Sequence, residues 1–151
     1  MEIRRASARD IGAWMELVSS VRDSFPGLET QHGLDDHQAT MLDFVRTGEA
    51  IGAFERGKCI GALLFSKELS MLCFLAVAPE RRRMHVGEQL VAYMLTFLDP
   101  TRDVTVTTYR AGVSEGEAAR VFYRRLGFAE GRLGEEFGAP VQEFILRRQA
   151  M

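Results

Sequence analysis

Apolar residues recur along this chain at two distinct periods. Residues 2–6 read as a short first strand. Ile11, Trp14, Leu17, Val18 and Val21 then return every three or four positions, which predicts a helix over 8–23 opened by a capping box from Ser7 to Asp10. Phe25-Pro26-Gly27 breaks that helix. Leu34, Met41, Leu42 and Val45 predict a second helix, capped by Asp35 or Asp36 and ending near Thr47-Gly48. Residues 50–54 and 59–65 are strand candidates around the turn pair Arg56-Gly57, and a third strand runs over 69–77. Short turns between them predict an antiparallel meander. Val86, Leu90, Tyr93, Met94, Phe97 and Leu98 give a helix that stops at Asp99-Pro100. Residues 104–107 alternate as a strand, expected to run parallel to 69–77 because a crossover helix joins them. Ser114 and Glu117 have capping-box spacing ahead of Ala118, Val121, Phe122 and Leu126. Gly127 closes that helix, with Phe128 as its apolar partner. Strands at 128–133 and 141–147, joined by a glycine- and acid-rich loop over 134–140, complete the order βααβββαβαββ.

Composition narrows the class. The chain has 151 residues, 46% of them hydrophobic and 26% charged, which suits one α/β domain spanning 1–151 with its own core. A net charge of −2 argues against broad nucleic-acid binding. No apolar run is long enough for a bilayer, and Met1-Glu2-Ile3-Arg4-Arg5 lacks a signal-peptide core, so a cytoplasmic protein with no membrane partner is expected. Cys59 and Cys73 sit in apolar runs and read as reduced core residues. His32, Asp35, Asp36 and His37 crowd together, but without the spacing of zinc ligands; a polar loop and helix cap is the plainer reading, and no metal is expected.

One stretch carries chemistry. Residues 77–90 pass from an apolar strand through Pro79 and Arg81-Arg82-Arg83 into the helix that opens near Val86. Three arginines alone would read as a solvated turn. Between a strand and a helix N-terminus, they accompany free backbone N–H groups and the positive end of a helix dipole, where a phosphate fits. Within this stretch, Arg82-x-x-His85-x-Gly87 resembles the Arg/Gln-x-x-Gly-x-Gly/Ala turn of the GNAT family of acetyl-CoA-dependent N-acyltransferases, with His85 at the first glycine position. A left-handed backbone there would strain a non-glycine residue. Residues 119–128, Ala-Arg-Val-Phe-Tyr-Arg-Arg-Leu-Gly-Phe, are similar to the family ending A-x-x-[LF]-Y-x-x-x-G-F. The element order resembles the GNAT fold over nearly the whole chain.

The resemblance implies a mixed, mostly antiparallel sheet flanked by about four helices, and N-acetyl transfer from acetyl-CoA to a primary amine by direct attack in a ternary complex. It implies that the main chain of Leu75, Ala76 and Val77 pairs with the pantetheine arm. The N–H groups of Arg82, Arg83, Met84, His85, Val86, Gly87 and Glu88 would surround the pyrophosphate, with Phe122 beside the cofactor. Tyr123 would lie near the thioester sulfur and protonate the departing thiolate. A backbone N–H near Leu75 to Val77 would stabilise the oxyanion. Gly116 stands where the family often has a pantetheine-orienting Asn. The strand 71–75 offers no carboxylate, so Glu68, just before it, is the candidate base; as a plain turn residue it would have no such role. The acceptor, a small-molecule or peptide amine, would meet the loop 25–33, Tyr109-Arg110 and the loop 135–140, where Glu135 and Glu136 would attract a cation. A homodimer is left open. A non-catalytic acyl-CoA sensor on the same fold is the alternative; a nucleotide-binding domain lacks its glycine motifs here.

Overall fold

The computed structural model describes residues 1–148. Its frame is a seven-stranded sheet in the order β1-β2-β3-β4-β5-β7-β6. The strands are β1 Glu2–Arg5, β2 Ala50–Glu55, β3 Lys58–Ser66, β4 Met71–Val77, β5 Val104–Tyr109, β6 Ala129–Glu136 and β7 Ala139–Leu146. Four helices accompany them: α1 Ile11–Ser20, α2 Gln31–Arg46, α3 Val86–Leu95 and α4 Glu117–Arg125. The mixed α/β class and the element order are those the sequence predicts. Every strand pair is antiparallel except β4 with β5. No helix among the described residues is long and apolar enough to cross a membrane.

β2 and β3 are buried on both faces, which explains their unbroken apolar runs. One face meets α1 and α2; the other meets α3. Gly61 permits the α3 contact, since a Cβ there would lie 2.7 Å from Leu90 Cδ1 and 2.9 Å from Val86 Cγ1. The core gathers Trp14, Met41, Ile51, Leu63, Phe65, Leu90 and Met94, each fully buried. Burial of side chains this large stabilises by about 1.5–3 kcal/mol apiece. α4 covers β5 and β7, with the Tyr123 ring 6.1 Å from that of Phe144.

Several boundaries differ from the periodic reading. The first helix is α-helical only over Ile11–Ser20, with 3-10 turns on either side. Its capping box forms as expected, with the Ser7 N–H donating to Asp10 Oδ2 at 2.7 Å. α2 begins a turn earlier than Asp35, because the Thr30 hydroxyl accepts from the Gly33 N–H at 3.0 Å. Asp35 and Asp36 therefore lie on its exposed side. The Ser114–Glu117 box does not form; Glu117 instead accepts from the Gly112 N–H at 3.3 Å. The loop expected over 134–140 contracts to the two-residue turn Phe137-Gly138, whose φ angles of 52° and 75° both lie in the left-handed region, and β6 and β7 lengthen to meet it. On α4 the buried face carries Arg120 and Tyr123, while Ala118 and Val121 are exposed. The buried face of α4 therefore includes a charged residue, which apolar spacing alone does not mark. The closing Gly127 behaves as read: Phe128 N–H donates to Tyr123 O and Gly127 N–H to Arg124 O, both at 3.0 Å.

His37 is not part of a metal cluster. Trp14 Nε1 donates to His37 Nε2 at 3.0 Å, stitching α1 to α2 inside the core. His32 instead faces Asp36 at the surface. No group of three metal-ligating side chains occurs among the described residues. Burial pushes the His37 pKa down to about 4, so the folded protein keeps this imidazole neutral. The unfolded chain binds a proton there below its ordinary value near 6.5. Folding stability is therefore complete above that pH and falls as pH drops toward 4, by about 1.4 kcal/mol per unit at most. The melting temperature should decline over that window, and His37→Gln, which keeps an acceptor for Trp14, should flatten the decline. An unchanged slope in the variant would contradict this origin.

Candidate functional site

The sheet opens in one place. β4 and β5 share a single bridge, Met71 to Thr105, where the Thr105 N–H donates to Ser70 O at 3.2 Å. Beyond it they diverge. The cause lies on the other edge of β4: Leu64 pairs with Phe74 and Phe65 with Leu72, so Cys73 is left without a partner. Such a bulge bends its strand and breaks the regular ladder. Past the bulge, the Ala78 N–H donates to Ile60 O at 2.9 Å. Strand alternation then turns the main-chain groups of Phe74 and Ala76 toward β3, and those of Leu75 and Val77 toward the gap. Of the three main-chain positions expected to meet a pantetheine arm, two face the gap and Ala76 does not.

The gap ends at a helix. Pro79–Met84 form a 3-10 turn, and His85 follows with φ 59° and ψ 22°. That is the left-handed conformation, held by a residue with a Cβ. It turns the chain sharply enough for α3 to start at Val86. Gln89 is the first residue to bond along the new helix, its N–H donating to His85 O at 3.1 Å. The amides of Val86, Gly87 and Glu88 are the ones a helix leaves without an internal carbonyl. Glu88 Oε2 lies 3.1 Å from His85 Nδ1. Arg81 is committed to Glu55, whereas Arg82 and Met84 are exposed. The Arg83 side chain lies outside the described part of the structure.

Gly87 brings the walls together. A Cβ there would lie 3.0 Å from the Phe122 ring and 3.6 Å from Val77 Cγ2. The first turn of α3, the end of β4 and the middle of α4 therefore meet at one point. Tyr123, next along α4, is buried among Phe122, Phe128 and Phe144. Burial raises its phenol pKa well above the ordinary value, and no hydrogen bond among the described residues contributes. The phenol is thus neutral and packed on three aromatic rings.

Glu68 is not drawn into this group. It is exposed in the turn before β4, at the closed end of the gap, and its carbonyl accepts from Arg102 Nη1 at 2.9 Å. β4 carries the chain about 13 Å further from Met71 to Leu75. Sequence reading also passed over Arg120, which is 1% exposed. Its Nη1 donates to Tyr109 O at 3.0 Å and Gln142 Oε1 at 2.9 Å, and its Nη2 to Glu130 Oε1 at 2.9 Å. The guanidinium also lies over Phe144, 5.0 Å from the ring centre. It ties α4, and so Tyr123, to β5, β6 and β7. The available signal was an arginine three residues from Tyr123, on the same helix face.

The opposite face of the sheet holds the expected acceptor elements. Val106 faces α4 with its register partner Phe144, so alternation turns Thr107 and Tyr109 the other way. At the tip of the β6–β7 hairpin, the Phe137 ring lies against Gly27, where a Cβ would approach it to 3.0 Å. Arg110 donates to Val141 O at 3.1 Å and Gly134 O at 2.7 Å, fixing the hairpin to β5. Glu135 and Glu136 are exposed. A groove of about 900 Å³ lies elsewhere, beside β1 and the β2–β3 turn. Its charges are largely spent on one another, as in Arg4 with Asp10 at 2.9 Å and Arg81 with Glu55.

The fold has known counterparts. Residues 46–130 match the family model described as an acetyltransferase (GNAT) domain. No curated protein matches the sequence. Among solved structures, Ard1 from Thermoplasma volcanium is similar with a TM-score of 0.74 and 21% identity, covering 99% of this chain and 98% of its own. A GNAT-family acetyltransferase from Bacillus cereus has a TM-score of 0.73 and 18% identity over 99% of this chain and 98% of its own. The PaiA N-acetyltransferase of Thermoplasma acidophilum, solved in complex with coenzyme A, has a TM-score of 0.71 and 16% identity over 97% and 98%.

The contact at Gly87 makes a stability prediction. Gly87→Ala should cost about 1–3 kcal/mol by overpacking against Phe122. Trimming the ring in Gly87→Ala/Phe122→Leu should recover part of that loss. Denaturant melts of the two single variants and the double variant would measure the coupling; strict additivity would contradict the contact.

Proposed function

The chain belongs to the GNAT acetyltransferase family, and on that premise we propose that it transfers an acetyl group from acetyl-CoA to a primary amine held in the same complex. The observation that carries the reading is the parting of β4 from β5. It leaves two rows of main-chain donors, at Leu75 and Val77 and at the start of α3, along one gap that α4 meets through Phe122. A narrow arm with amide groups suits the first row, as an added strand would. A diphosphate suits the second, where helix amides and dipole converge. The donors are main-chain groups and survive the replacement of a glycine by His85, whose backbone has the left-handed form in any case.

Acetyl-CoA, when bound, supplies a thioester that an amine can attack. The residues of this chain do the rest. Leu75 or Val77 N–H, fixed by the strand, faces the gap and would stabilise negative charge on the reacting carbonyl oxygen. Tyr123 Oη holds its proton at neutral pH, because burial disfavours the phenolate. We assign to it the protonation of the departing sulfur. Arg120 keeps the helix under it in register with β5. Proton removal from the amine has no assigned carboxylate: β4 carries none, and Glu68 keeps only the standing of a candidate acting through water.

That gap in the machinery favours one alternative, a sensor that binds an acyl-CoA without turnover. Release of free thiol from acetyl-CoA with a panel of primary amines separates the two. The enzyme reading expects amine-dependent release; binding of CoA without release from any amine would favour the sensor. If transfer occurs, Tyr123→Phe should lower kcat by about 10²-fold or more and leave the KM for acetyl-CoA within about twofold. Unchanged kcat would remove Tyr123 from the chemistry.

A further inference from the structure

On the face of the sheet that carries α1 and α2, the mouth of the gap is bridged. Phe74 of β4 turns its ring to that face, where the ring centres of Phe25 and His37 lie 4.6 Å and 4.5 Å away. Just beyond Phe25, Gly27 meets the Phe137 ring at the tip of the β6–β7 hairpin. A Cβ at Gly27 would lie 3.0 Å from Phe137 Cγ and Cδ2 and 3.2 Å from its Cδ1. That hairpin belongs to the other bank of the gap. β7 pairs with β5 from Val104 to Tyr109, and the Arg110 N–H donates to Pro140 O at 3.2 Å. The short segment from Phe25 to Gly27 therefore reaches from β4 to the β5 side of the sheet, across the place where those two strands part.

The two partners in this bridge are held differently. The segment is fixed. A Cβ at Gly33 would fall 1.7 Å from Gly27 O, so that carbonyl is seated on the first turn of α2. Arg22 donates from Nε to Leu28 O at 3.1 Å and from Nη2 to Glu29 O at 2.7 Å, which pins the chain just after it. Phe137 stands outside any core. It is 81% exposed, the most exposed large apolar side chain among the described residues. It also takes the first of the two left-handed positions in its turn, with φ 52°, where a two-residue hairpin turn favours Asn, Asp or Gly. A bulky residue in that conformation is strained, and its exposed ring gains little from burial to offset the strain. What the ring does make is the contact across the mouth.

We infer that Phe137, resting on Gly27, roofs the acceptor mouth and restricts the acceptor to a small free amine, excluding the amino end of a peptide or protein. The inference rests on the acetyl-transfer reading. An amine on a short stem fits beneath the bridge and reaches the gap from the Phe74 side. A peptide terminus brings further residues that must leave through the same mouth, and the ring of Phe137 lies in their path. Selectivity of this kind comes from a clash with the larger competitor.

The test pairs glycinamide, alaninamide and leucinamide each with an amidated tetrapeptide that begins with the same residue, so that the reacting amines are alike. It uses the native chain and Phe137→Asn. Asn-Gly is a favoured pair for this turn, so the variant should fold and melt no lower than the native chain. In the native chain at least one small amide should exceed its peptide by about tenfold or more in kcat/KM, and Phe137→Asn should cut that ratio to about threefold or less. Peptides acetylated as well as the small amides by the native chain, or a ratio that the variant leaves intact, would overturn the roof while leaving acetyl transfer standing. If none of these compounds is acetylated, calorimetric titration with the same pairs decides. Tighter binding of the small amides that narrows in Phe137→Asn supports the roof without supporting transfer; equal binding within each pair, or binding of neither member, overturns it.

Discussion

The structure turns on one unpaired residue. Cys73 interrupts the β3–β4 ladder, and past it the backbone of β4 changes which groups it offers to which neighbour. A continuous ladder would have let β5 lie along the whole of β4 and seal the sheet. Instead the two strands touch at one bridge and separate. The unmet main-chain groups that result cost free energy unless something occupies the gap, about 1–3 kcal/mol for each one kept from water. The strands on both sides are well anchored: β3 is buried on both faces, and β5 is held by β7 along its full length. The opening is therefore a rigid feature between two stable halves.

The second constraint is the turn at His85. A left-handed residue immediately before α3 lets the helix start directly after the 3-10 turn Pro79–Met84, so its first amides face the same gap as Leu75 and Val77. A Cβ in that conformation costs roughly 1 kcal/mol. The cost falls at the one position where the direction of the chain decides what the helix dipole meets. His85 and Glu88 then brace each other across the first turn. On the far wall, Arg120 does comparable work with charge: three acceptors from three different strands hold α4 against the sheet, and Tyr123 rides on that helix.

Much of this was legible in the residues. Period and turn chemistry gave the element order, the parallel crossover and the glycine closure after α4, because each depends on neighbours in sequence. The bulge was not legible, since Met71 to Val77 reads as an uninterrupted apolar strand and pairing register is a property of two strands. The cap of α2 differs from Asp35 or Asp36 because capping depends on which side chain reaches a free amide, and Thr30 is the one that reaches that of Gly33. The face of α4 was misread because a buried arginine looks polar until its partners at 109, 130 and 142 are brought beside it.

The central claim is that the β4–β5 gap and the start of α3 form a single main-chain cradle for coenzyme A. Amide hydrogen exchange measured with and without coenzyme A tests it at single residues. The account predicts slowed exchange at Leu75 or Val77 and at Gly87 and Glu88, with Ala76 and Ala78, already turned to β3, little changed. Exchange at those four amides that is indifferent to coenzyme A, or slowed no more than the rest of the chain, would contradict it.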